Sequence, residues 1–127
     1  MSELVAAMPF AAGLGIEVSS ADKDEVHGRL EWAPERCTAG GVLHGGALMG
    51  LADSLGAICA FLNLPERAST ATIESKTNFF RAVRGGHVEA ISRPLHIGRT
   101  SIVVQTELAD AERRPVAVVI QTQAVLT

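Results

Sequence analysis

Between His44 and Pro65 a single residue carries a formal charge, Asp53. Within that stretch Leu48, Leu51, Ala52, Leu55, Ile58, Cys59 and Leu62 recur at three- and four-residue spacing, the apolar stripe of a helix that starts at Gly45 and runs for about five turns. Asn63 and Pro65 supply its stop. A helix with one face in water normally carries Lys and Glu there, so this one is predicted to be wrapped on nearly all sides. At about 100° per residue, Asp53 points almost opposite the stripe and shares its face with Gly46, Gly50, Ala57 and Ala60. Small residues admit another backbone closely. The expectation is that the stripe packs on the chain's own sheet while the Gly/Ala face meets a second copy of the chain.

The residues around this helix read as strands. Glu25, His27, Arg29 and Glu31 alternate with Val26, Gly28, Leu30 and Trp32, a period-two pattern with one buried face. A shorter strand is expected over residues 15–20, after a brief N-terminal helical turn. Beyond Pro65 the pattern changes to extended segments over 69–81, 87–97, 101–109 and 116–126, separated by Gly85-Gly86, Gly98 and the 110–115 turn. Short connections make successive strands antiparallel neighbours by expectation, and Pro94 marks an edge or a bulge. The reading is an α+β fold, a single domain over residues 1–127 with its helix on one face of the sheet.

Composition removes several function classes. With 47% hydrophobic and 20% charged residues, the chain has enough apolar side chain to bury a core. Its net charge is −3 and its basic residues are scattered singly apart from Arg113-Arg114, which is no footprint for nucleic acid. Residues 45–62 contain four glycines, Asp53 and Ser54, a poor membrane span. Glu3 and the lack of a basic leader argue against a secretory signal, and Met1 to Met8 is too short to anchor the chain. Cys37 and Cys59 have neither metal-ligand spacing nor the density of a disulfide framework, which places the expected location in a reducing cytoplasm. His27, His44, His87 and His96 show no paired spacing, so no metal is expected.

A carboxylate on an otherwise uncharged helix needs a cause, because burying it ionised without partners costs several kcal/mol. One cause is a hydrogen bond across an interface. The other is general-base or nucleophilic work in a cleft. The second gains weight from His44-Gly45-Gly46 at the helix start, where backbone N–H groups lack intrahelical acceptors and a glycine lets a carbonyl approach, as an oxyanion hole requires. Gly45 and Asp53 lie about 12 Å apart along the helix axis at 1.5 Å per residue, too far to share one carbonyl carbon. Two helices antiparallel about a two-fold axis would bring the start of one beside the middle of the other. Catalysis would then require a homodimer with two equivalent clefts.

These residues resemble a known family. Val42-Leu43-His44-Gly45-Gly46-Ala47-Leu48, with an acid nine residues after the histidine, is similar to the hotdog-fold acyl-CoA thioesterases, particularly the PaaI-like branch of phenylacetic acid degradation type. Asn78-Phe79-Phe80-Arg81 and Gly98-Arg99-Thr100 resemble later motifs of the same family. The resemblance implies a highly curved antiparallel sheet wrapped around one long central helix, in dimers commonly assembled into homotetramers. It implies that Asp53 attacks the thioester or activates water, that the Gly45 N–H polarises the carbonyl, that His44 shapes the turn, and that Thr72 orients the water. Thr38 stands where relatives carry Asn or Gln against the carbonyl, and Ala57 where glutamate-type members carry Ser or Thr. The implied substrate-binding set is Thr38, Gly46, Phe79 and Arg99, the last near CoA phosphates. An acyl- or aryl-CoA is the substrate and no cofactor is implied.

The competing readings are weaker. Ser54 and Ser101 lack the glycine frame of a nucleophile elbow. Cys59 sits on the apolar stripe and reads as core. A dehydratase of related fold would need a histidine after Asp53 on this helix, and none is there. A noncatalytic acyl-CoA-binding or regulatory dimer would keep the groove without needing Asp53. The acyl group depends on how Phe10, Phe61, Phe79 and Phe80 pack.

Overall fold

The computed structural model describes residues 2–127. Met1, part of the N-terminal segment read above as too short to anchor the chain, lies outside the described residues. Two short helices, α1 (Ser2–Ala6) and α2 (Pro9–Leu14), precede strands β1 (Glu17–Ala21) and β2 (Val26–Glu31). A 3-10 turn at Pro34–Arg36 leads to the long helix α3 (Gly45–Phe61). Four strands follow: β3 (Ser69–Phe79), β4 (His87–Ile97), β5 (Ser101–Asp110) and β6 (Pro115–Leu126).

The six strands form one antiparallel sheet in the order β1-β2-β4-β5-β6-β3. β4, β5 and β6 are the expected meander. The expectation of neighbouring successive strands fails at β3, which pairs with β6 at the far edge while β4 pairs with β2. The reason is α3, which touches every strand. Six strands laid flat would span about 24 Å, whereas a helix is about 10 Å wide, so the sheet must curl around it. The chain that enters α3 from one side of the curl leaves it at the other, and β3 begins there.

The helix packs as its stripe predicts. Leu48, Leu51, Ala52, Leu55, Ile58 and Cys59 are buried against Leu30, Val88, Ile102, Val104 and Leu108 of the sheet. Gly28 of β2 admits the helix, since a Cβ there would lie 3.0 Å from Leu55 Cδ1 and 2.8 Å from the Glu17 carbonyl oxygen. Pro94 stands at a bulge in β4, between registers Pro94↔Val104 and His96↔Val103, where its missing N–H costs no ladder bond. No helix among the described residues is long and apolar enough to cross a membrane.

The opposite face of α3 corrects the prediction in one respect. It is not wholly reserved for a second chain: Ala60 is fully buried, and Gly50 lies under Leu14 and Phe10 of the N-terminal segment. Within one chain Gly46, Met49, Asp53 and Phe61 remain as an exposed line along the helix, the part of this face that is still open. The physical reason is the curl itself, which closes over three sides and stops at β3.

Candidate active site

Asp53 stands in the middle of that exposed line. β3 runs past it, and Thr72 Oγ1 comes to 3.4 Å from Asp53 Oδ1. From β6, Gln121 Nε2 reaches the same oxygen at 3.4 Å. Thr72 is directly opposite Gln123 in the β3–β6 ladder, and the register slips immediately after it, between Thr72 and Glu74. A bulge next to a site re-aims the neighbouring side chain.

The N-terminus of α3 is built as the glycine reading requires. His44 caps it in an extended conformation, and its Nδ1 accepts the Gly46 N–H at 2.7 Å. The Gly46 donor is thereby used. The Gly45 N–H has no acceptor among the described residues and carries the positive end of the helix dipole. Phe79 lies over Gly45, where an added Cβ would come within 3.2 Å of its ring. Thr38 sits in the turn before the helix, its N–H bonded to the Val42 carbonyl at 2.8 Å. Arg99 is exposed in the β4–β5 turn, which the Val125 N–H to Thr100 carbonyl bond (2.9 Å) ties to the sheet end where β3 starts.

One chain therefore gathers Asp53 and Thr72 in one place and His44, Gly45, Gly46, Thr38 and Phe79 in another. Both groups hang on a single unbroken helix, so their separation stays at about 12 Å. Further along the helix from Asp53 opens a groove of about 310 Å³ lined by Glu3, Leu4, Ala7, Met8, Ala57, Ile58, Phe61 and Thr70. Its start is one helical turn beyond the carboxylate, at Ala57. A larger cavity of about 640 Å³, lined by Arg81, Arg84, Asp110 and Arg114 among others, includes none of the predicted site residues. Among the described residues no group of three or more His, Cys, Asp or Glu side chains is placed to hold a metal ion. An exposed carboxylate beside a hydroxyl, one helical turn from an apolar groove, can take a proton from water or attack an acyl carbon.

Sequence reasoning missed Gln121 and Gln123. Their signal was available: on the odd-numbered face of β6, Ala117 and Val119 give way to two amides, polar residues at positions that the alternation assigns to the core.

The thioesterase superfamily model matches residues 40–117, a stretch that holds the His-Gly-Gly helix start, Asp53 and Thr72. The proofreading thioesterase EntH of Cronobacter turicensis is 30% identical over 101 residues, covering 80% of this chain and 74% of that protein. The 1,4-dihydroxy-2-naphthoyl-CoA hydrolase of Escherichia coli is 35% identical over 74 residues, 58% of this chain and 54% of the enzyme. In three dimensions the crystal structure of a mutant thioesterase from Pseudomonas aeruginosa superposes with a TM-score of 0.93 at 28% identity, covering 98% of this chain and 92% of that one. The curled six-stranded sheet around a single long helix is the hotdog fold, and the chain belongs to the thioesterase superfamily.

Proposed function

We propose that this thioester hydrolase cleaves acyl-CoA thioesters to the free acid and CoA, in a site completed by a second copy of the chain. The observation that carries the reading is Asp53: an exposed carboxylate on a helix with no other charge, 3.4 Å from Thr72 Oγ1, with an apolar groove opening one helical turn further on at Ala57. The groove suits an apolar acyl group, aliphatic or aryl.

The unbonded Gly45 N–H of the facing helix supports a role as oxyanion donor, because a backbone amide at a helix start is fixed in place before charge develops on the carbonyl oxygen. His44 holds the turn that presents it. Thr38 and Phe79 border the same helix start and would contact the thioester, while Arg99 at the rim would meet CoA phosphates. Asp53 either attacks the carbonyl carbon, expelling the CoA thiolate and forming a mixed anhydride that water then hydrolyses to the free acid and the restored carboxylate, or activates water for direct attack. By the water route, one proton passes to Asp53 as the new C–O bond forms. Collapse of the tetrahedral oxyanion breaks the C–S bond, and the CoA thiolate leaves with the proton. No cofactor enters this scheme.

Support for a dimer comes from β3. It is an edge strand whose outer backbone groups have no partner strand, and Ile73, Phe79 and Phe80 on and beside it are 63%, 50% and 60% exposed. A long unpaired edge with exposed apolar side chains on it is an open invitation to another strand.

The test is turnover of a panel of acyl- and aryl-CoA esters by the parent and by Asp53→Asn. A loss of about 10² to 10⁴-fold on the best substrate is expected from removal of a catalytic acid–base group. Parental rates in the variant would remove Asp53 from the chemistry. Tight acyl-CoA binding without turnover by the parent would instead indicate a binding protein.

A further inference from the structure

Two buried amides lie where the inner row of β6 passes Asp53. Gln121 and Gln123 are 0% and 1% exposed, in line with the buried Ala117 and Val119. An amide in a core is unfavourable unless hydrogen bonds replace its lost water, and an aliphatic side chain would fill the same space without that requirement. The helix even yields room for one of them: a Cβ on Gly56 would lie 2.1 Å from Gln121 Oε1, so α3 forgoes a side chain where the amide sits.

A count of protons shows what the pair does. The two N–H bonds of Gln121 Nε2 go to Gln123 Oε1 at 3.3 Å and Asp53 Oδ1 at 3.4 Å, and turning the amide over would set its oxygen against two oxygens. Gln123 Nε2 donates to Thr70 Oγ1 at 3.3 Å, and Thr70 passes its own proton to the Ala124 carbonyl at 2.8 Å. Thr72 has one hydroxyl proton and two candidate acceptors. Gln123 Oε1 at 2.5 Å wins it over Asp53 Oδ1 at 3.4 Å. Thr72 thus faces Asp53 as an acceptor, and a water molecule seated against both oxygens from the open side can donate one proton to each.

We infer that Gln121 and Gln123 are positioning residues for hydrolysis. Gln121 fixes Asp53 Oδ1, and Gln123 withdraws the Thr72 proton, so that carboxylate and hydroxyl oxygen together orient the attacking water with a lone pair toward the thioester carbon. Neither glutamine touches substrate. The inference rests on the catalytic role proposed for Asp53. The groups facing Asp53 from β3 and β6 are uncharged; Glu74 lies on the other face of the sheet, where Thr122 Oγ1 donates to it at 3.1 Å, and Glu3 of α1 borders the groove.

Gln121→Met and Gln123→Met keep length and volume and remove the hydrogen bonds. Each is expected to lower kcat between about 10- and 100-fold, as for a misplaced catalytic group, with KM within about twofold. A fall in kcat with KM and the melting temperature unchanged is a split that a packing role alone would not produce. Gly56→Ala, which pushes the intact amide off Asp53, should give the same loss of kcat with the same unchanged KM. Parental kcat in any of these folded variants would overturn the inference. Asp53→Asn is assayed alongside. If it is inactive while the glutamine variants match the parent, only the positioning role falls. If it matches the parent, the catalytic reading of Asp53 falls first.

Discussion

At the scale of single residues, environment decides chemistry more than residue type does. Cys59 and Cys37 are both free thiols, yet Cys59 is fully buried on the inner stripe of α3, and burial pushes its pKa up to about 11. Cys37 is half-buried, with its Sγ 3.3 Å from the Ala33 carbonyl. In the native protein a disulfide reagent at neutral pH should label Cys37 and spare Cys59, which should react only after denaturant is added; mass spectrometry of the labelled peptides reads the difference. Asp53 was legible from the sequence because a lone charge breaks an apolar pattern. The orientation of the Thr72 hydroxyl was not, since it depends on a strand fifty residues away.

At the scale of elements, carboxylates hold the β1–β2 and β5–β6 turns. Burial by itself would raise the Asp110 pKa, but the backbone N–H and guanidinium of Arg114 and the backbone N–H of Glu112 bind its charged form, and the net direction is down. Asp22 is lowered by the backbone N–H groups of Glu25 and Asp24, and Glu25 by the side chains of His27 and Arg93. A carboxylate with a depressed folded pKa binds fewer protons folded than unfolded. Its stabilisation is complete above the ordinary values of 3.8 for Asp and 4.5 for Glu, and fades as pH falls through the lower folded values. The urea midpoint should therefore decline between about pH 5 and about pH 3, and Asp110→Asn should flatten part of that decline. A midpoint that stays level over this window would contradict the assignment. Such turn chemistry was only partly legible: the 110–115 segment announced a turn, but the grip of Asp110 on Arg114 required the hairpin to exist.

At the scale of the whole molecule, the open side of the curl is the decisive feature. Ile73 sits at the β3 bulge and is 63% exposed, away from the core of its own chain. Ile73→Lys should leave the fold intact, convert a dimer to a monomer in sedimentation, and remove turnover even though Asp53 and Thr72 are untouched. A monomer with parental activity would show that one chain suffices. The expectation of two copies rests on the distance between Gly45 and Asp53 in the sequence, and it placed the contact on the Gly/Ala face, part of which α2 and its neighbours cover.

Local pattern determined the elements. Periods of 3.6 and 2, glycine and proline breaks, and one unexplained charge were sufficient to mark α3, all six strands and the acid at the centre, because these depend on neighbours within a few residues. Tertiary structure alone decided that β3 crosses to the far edge beside β6, and that the amides of Gln121 and Gln123 come to lie under Asp53 and Thr72. Strand order and cross-strand hydrogen bonds follow from how a sheet closes around a helix, and closure is a property of the whole chain.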